Sequence, residues 1–231
     1  MNRTPVEPPA MSISRITAMS DGVFSIAITL LVFNIKVPDL KPHDVPAGLP
    51  AAVRALWPYL VSYVLSFIMI GVYWVGHHNI YHHIVRSNRL LLWLNLLFLM
   101  CVAFLPFAAA LLGRYPQAQT ALIVYGSTLI CTGLALELLW RYATARGRMI
   151  RGELNAGLVR QASVKILTIP AVSVLSIALS WASPAASLAL YLLVPLLYVM
   201  PNRLDGYWTR PAPQESNVSV GVKTGANRPM P

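Results

Sequence analysis

Six stretches of the chain stay apolar for about the length of a bilayer-crossing helix, with short polar stretches between them. Such a helix needs about 20 mostly apolar residues. The stretches cover residues 16–37, 57–77, 90–112, 120–140, 162–182 and 185–201, and the last is the shortest. Pro106, Pro170 and Pro195 fall inside them, which membrane helices tolerate where neighbours satisfy the freed carbonyl. The pattern predicts an all-α, polytopic membrane protein with one six-span unit over residues 14–201. Residues 1–13 hold three prolines and no apolar run. They predict a disordered segment and lack the build of a signal peptide. Residues 202–231, rich in Pro, Gly, Asn and Ser, predict a disordered tail. The Asn217-Val218-Ser219 sequon lies in that tail and carries no weight.

Composition agrees with the pattern. The chain is 56% hydrophobic and only 11% charged, whereas a soluble domain carries about 25% charged residues. The net charge of +10 would suit a nucleic-acid binder, but the basic residues cluster between apolar runs. Topology and anionic lipid account for them better, and no nucleic-acid partner is expected. With the N-terminus placed inside, the inner segments hold 14 of the 18 Lys and Arg residues. Only Lys36, Lys41, Arg54 and Arg114 fall outside. The positive-inside rule thus predicts both termini in the cytoplasm. Cys101 and Cys131 lie in apolar runs and read as small packing residues.

The polar residues inside the spans carry the chemistry. The first span opens "RITAMSDGVFSIAITLLV", with Asp21 about two turns from its inner end. An intramembrane aspartate is unfavourable and needs a protein or water partner. Arg15 is not that partner within the helix: six residues at 100° each leave the two about 120° apart, and intrahelical pairs prefer i+3 or i+4. Each is therefore expected to reach outside the helix. Donors exist in Trp74, His77 and Asn79 of the second span and in Asn95 of the third. A network from the first span to the second and third would fix the tilt of the first. Glu137 has Arg141 at i+4, which explains it as a local ion pair.

His77, His78, His82 and His83 invite a metal reading, since His78 and His82 are spaced i, i+4. No carboxylate lies near them in sequence, and they fall at an interface where polar rings are common. No metal and no organic cofactor are expected. No nucleophile elbow, P-loop, dinucleotide turn or paired-carboxylate pattern is present, so the chain does not read as an enzyme.

"RITAMSDG" resembles the R-x-x-x-F-S-D-G signature of the transmembrane protein 175 family of potassium channels. Arg15, Met19, Ser20, Asp21 and Gly22 occupy its positions, with Met19 where the family has Phe. "FSIAITLLV", Trp74 with His77, and "RLLLWLNLLFLMCVAFLPF" extend the resemblance over residues 15–112. The resemblance implies a six-helix unit without the "TVGYG" filter, assembled as a homotetramer in the inner membrane of a prokaryote. It implies a leak-type channel whose pore is lined by the first span of each subunit. Matched by position, the pore stripe is Ile26, Thr29, Leu30 and Phe33, with potassium and related monovalent cations as permeants and membrane lipid around them. Periodicity alone does not select that stripe, because the span is apolar all round beyond Asp21.

A ring of Ile26 side chains would be a dry constriction that gates by dewetting. Thr29 hydroxyls would offer oxygen ligands one turn on, or simply bond back to the carbonyl of Ser25. Asp39 and Asp44, beyond the span, would attract cations, opposed by Lys36 and Lys41. Two other readings stay open: a proton-coupled secondary transporter using Asp21 and His77, and a membrane-embedded metalloprotein using the histidines.

Overall fold

The apolar stretches all become helices, and one further helix stands between the first two. In the computed structural model, α1 runs Ile13–Leu30 and tightens into a 3₁₀ turn over Leu31–Asn34. It is followed by α2 (Val45–Ala55), α3 (Trp57–His83), α4 (Arg89–Arg114), α5 (Gln119–Thr144), α6 (Ala156–Ser180) and α7 (Pro184–Val199). The structure describes residues 12–145, 149–150 and 156–199, without the side chains of 196–199. The expected disorder of residues 1–11 and of the tail from 202 lies outside the described residues. Among the described residues, five helical stretches are long and apolar enough to cross a membrane, one of them joining α2 to α3; α7 is a shorter apolar helix.

Most of the helices overrun the apolar stretches. α3 continues six residues beyond the expected end, so the histidine segment is helical. α6 starts at Ala156 rather than near 162, and its first turns carry Arg160. Hydropathy reports where apolar side chains stop, while backbone hydrogen bonding continues through polar turns. α2 forms in the segment between the first two apolar stretches, although Pro46, Gly48 and Pro50 all speak for a break. Pro46 lies in the first turn, where its missing N–H removes no helical bond. Asp44, expected in that loop, stands at the N-terminus of α2 and pairs with His43 at 3.4 Å.

From α3 onward consecutive helices pack side by side, with the broadest contacts between α4 and α5 and between α5 and α6. α5 is the hub, and glycine makes it so. A Cβ on Gly133 would collide with the ring of Pro170 on α6. One on Gly126 would collide with the Tyr191 hydroxyl of α7 and lie 2.8 Å from Ile177 of α6. Small residues that let backbones approach closely are the usual means of joining membrane helices. Tyrosines then tie the hub to its neighbours. Tyr73 on α3 donates to Leu129 O at 2.7 Å, and Tyr191 donates to Leu122 O at 3.0 Å. Tyr125 shares a 3.2 Å bond with Ser66. α1 lies on the other side, against α3 and α4.

Candidate functional site

α1 has two opposite faces. Ile16, Ser20, Phe24, Ala27 and Leu31 are buried, and at 100° per residue they fall within a sector of about 80°. This face rests on α3 and α4. The opposite side carries Arg15, Met19, Gly22, Ile26, Thr29 and Phe33, all of them uncovered in the single chain. Ile26 is 61% exposed and Phe33 74%. Thr29 and Leu30 flank Ile26 by about 60° and 40° on opposite sides. Phe33 lies in the 3₁₀ turn, so the α-helical i+7 spacing from Ile26 is tightened there.

Two sets of hydrogen bonds hold α1 to its neighbours, only one of them on the buried face. Trp74 of α3 donates its indole N–H to Asp21 Oδ1 at 2.9 Å. Separately, His77 Nε2 pairs with Asn95 Oδ1 at 2.9 Å, and Asn95 Nδ2 donates to Ser20 Oγ at 3.1 Å. Ser20 passes its own proton to Ile16 O at 2.9 Å. With the amide oxygen toward the ring, His77 is the donor, and the relay runs from α3 through α4 into α1. Ser20, His77 and Asn95 are almost wholly buried, and an unsatisfied partner there would be unfavourable. Aromatic rings wall the relay. His77 stacks on Phe98 at 5.4 Å and 7°, with Tyr81 at 4.5 Å and Phe24 at 5.8 Å.

The donors considered for Asp21 therefore divide their work. Trp74 reaches Asp21, whereas His77 and Asn95 reach Ser20. Arg15, expected to reach a neighbour, stands exposed, and no ion pair ties it among the described residues. Asn79 is half-buried. Glu137 takes the Arg141 guanidinium at 2.6 Å. Among the described residues no group of three or more His, Cys, Asp or Glu side chains could hold a metal ion. His78 instead lies against Trp74 at 5.6 Å.

Just past the C-terminal end of α1 lies a tether that hydropathy does not reveal. Asn34 Nδ2 donates to Pro106 O on α4 at 3.1 Å. An amide that interrupts the first apolar stretch, four residues past the end of α1, was the available signal. Clamped at Ser20 and Asp21 and tethered beyond its C-terminal end, α1 is held with one face uncovered. On that face Thr29 donates to Ser25 O at 3.0 Å and Ile26 O at 2.9 Å, and Ser25 donates to Asp21 O at 2.8 Å. With the protons turned to the backbone, the lone pairs of both hydroxyls are left to the uncovered side.

Comparison with known proteins bears on the family and the fold. Residues 15–106 match the family model described as endosomal/lysosomal potassium channel TMEM175. A potassium channel of Streptomyces collinus is 37% identical over 188 residues, spanning 80% of this chain and 90% of that protein. The human endosomal/lysosomal proton channel TMEM175 is 33% identical over 144 residues, which is 58% of this chain but 28% of the human one. Among solved structures, the crystal structure of a lysosomal potassium-selective channel TMEM175 homolog from Chamaesiphon minutus superposes with a TM-score of 0.71. Its sequence is 33% identical, with 80% of this chain and 95% of that one covered.

Proposed function

The chain belongs to the TMEM175 family, and on that premise we propose how it works as a potassium channel: four copies bring the uncovered faces of α1 together around one axis. The observation that carries this reading is the two-faced build of α1. The bonds to other helices reach Ser20, Asp21 and Asn34, and beyond Arg15 the opposite side is an apolar strip flanked by the Ser25 and Thr29 hydroxyls. A strip so held in a membrane suits a pore wall. In the assembly Ile26 forms the narrowest ring, Leu30 and Phe33 continue the wall, and Thr29 lends oxygen ligands between them.

Selectivity then rests on dehydration. An apolar ring offers an ion no replacement for its water, so conduction depends on wetting a slightly wider state or stripping part of the shell. Potassium holds its shell less tightly than sodium and crosses more readily. The Thr29 oxygens reduce the penalty one turn further on. Ser20, Asp21, Trp74, His77 and Asn95 are positioning residues that set the tilt of α1 and so the width of the ring. The charge distribution supports a cytoplasmic N-terminus of α1 and a cytoplasmic connection between α3 and α4. The bacterial relatives support the cell membrane as the location.

Replacement of Ile26 by Ala tests this. Purified protein in a planar bilayer, with potassium on one side and sodium on the other, is expected to show a reversal potential that moves toward zero in the variant. An unchanged reversal potential would remove Ile26 from the selectivity ring.

A further inference from the structure

The end of the bundle opposite Asn34 gathers arginines from four parts of the chain. Arg86 sits in the α3–α4 connection, Arg89 at the start of α4, Arg141 near the end of α5 and Arg160 in the second turn of α6, and all four are exposed. Folded contacts bring them together. Asn88, beside Arg89, donates to the Tyr142 hydroxyl, beside Arg141, at 2.6 Å. The Val85 amide donates to Met149 O at 2.7 Å and the Arg86 amide to the same oxygen at 3.4 Å. Ile84 and Ile150 close this clasp as an antiparallel bridge. Trp140, beside Arg141, donates to Val159 O, beside Arg160, at 3.3 Å. Among the described residues the Glu137 carboxylate takes Arg141 through its Nε, and that arginine side chain stays 67% exposed.

Each arginine on a helix also stands at the head of an exposed apolar row. Trp93 follows Arg89 at i+4, Leu138 precedes Arg141 at i−3, and Val164 follows Arg160 at i+4, all strongly exposed. Orientation in the membrane asks only that positive residues lie in the inner connections. It does not ask that they be clasped into one cluster above apolar side chains. Guanidinium groups over an apolar wall complement a phosphate joined to acyl chains, and arginine pairs with phosphate oxygens in a forked geometry.

We propose that this cluster binds the phosphate of an anionic phospholipid of the inner leaflet, with the lipid chains lying along the rows headed by Trp93, Leu138 and Val164. The binding is distinct from the ion pathway on α1.

The test is lipid retention by the purified full-length protein in native mass spectrometry, with phosphatidylglycerol and phosphatidylcholine offered together. The wild type is expected to retain phosphatidylglycerol preferentially. The preference should fall by about fivefold for each arginine replaced by Gln among Arg86, Arg89 and Arg160. Arg54→Gln, at the other end of the bundle, should leave it unchanged. If the triple variant fails to fold, the single variants Arg89→Gln and Arg160→Gln read the same loss one step at a time. Equal retention of the two lipids by the wild type, or wild-type preference in the folded variants, would overturn the proposal. Displacement of the lipid by excess inorganic phosphate alone would also overturn it, because the apolar rows would then contribute nothing.

Discussion

α1 and α5 are nearly equal in length of apolar run and in hydropathy, yet they are built for opposite ends. Of the most apolar stretch in each helix, 61% is buried in α5 and 28% in α1. α5 spends its small residues, Gly126 and Gly133, on close approach to its neighbours. α1 has Gly22 with nothing within 4 Å of where a Cβ would stand. Apolar character in a membrane chain thus says that a helix sits in lipid depth, not what it faces. The direction comes from polar side chains. Tyr73 and Tyr191 bind carbonyls of α5 from two sides. α1 is bound through Ser20, Asp21 and Asn34 on one side and at its ends.

If α5 is the scaffold and α1 the working element, substitutions should separate stability from ion preference. The largest effect on stability is expected from Gly126→Ala, which forces Tyr191 and Ile177 to move. Overpacking of this kind costs about 1–3 kcal/mol, read as a lower thermal midpoint of the detergent-solubilised protein with the potassium-to-sodium ratio intact. A changed ratio would break the distinction between the helices.

Next comes Asn95→Leu, which leaves Ser20 and His77 buried without their shared partner. Unsatisfied buried groups and the weaker net value of polar contacts between membrane helices together suggest a loss of about 1–2 kcal/mol. Here the ion ratio should change as well, because α1 is free to tilt. Stability falling with the ratio untouched would make the relay a structural bond and no more.

Trp74→Phe removes one donor to Asp21. Its effect is expected to be about 0.6 kcal/mol, and a double-mutant cycle with Asp21→Ala should return that coupling. Additive losses would mean that the 2.9 Å bond contributes nothing. The smallest change in stability belongs to Ile26→Ala. Its side chain is uncovered in the single chain, so the folded subunit should shift by less than about 0.5 kcal/mol while ion preference falls. A large loss of subunit stability would place Ile26 in packing instead.

The polar residues of this clamp were legible in the sequence because each is unfavourable in lipid and so stands out. Ser20, Asp21, Trp74, His77 and Asn95 could be picked from the apolar runs they interrupt. Their pairing could not. Whether Trp74 or His77 meets Asp21 depends on the rotation of α3 against α1, which hydropathy does not encode. The outward face of α1 was equally hidden, since Ile26, Leu30 and Phe33 have the same character as the buried Phe24 and Leu31. Resemblance to a family supplied that stripe. α2 is hidden because its prolines and glycine speak for a break, and the role of Asn34 because its acceptor, Pro106 O, lies on another helix. The hub glycines on α5 gave no signal in one sequence, as a glycine says nothing of what presses against it.

The central claim is that the uncovered face of α1 lines the ion path and the opposite face does not. Cysteine accessibility tests it most directly, in a background with Cys101 and Cys131 replaced by Ala. Ile26→Cys and Thr29→Cys channels are expected to lose potassium current on exposure to a charged thiol reagent or to Cd²⁺. Ala27→Cys, one residue on and buried against α3 and α4, should keep its current. Block at Ala27 with none at Ile26 or Thr29 would contradict the account.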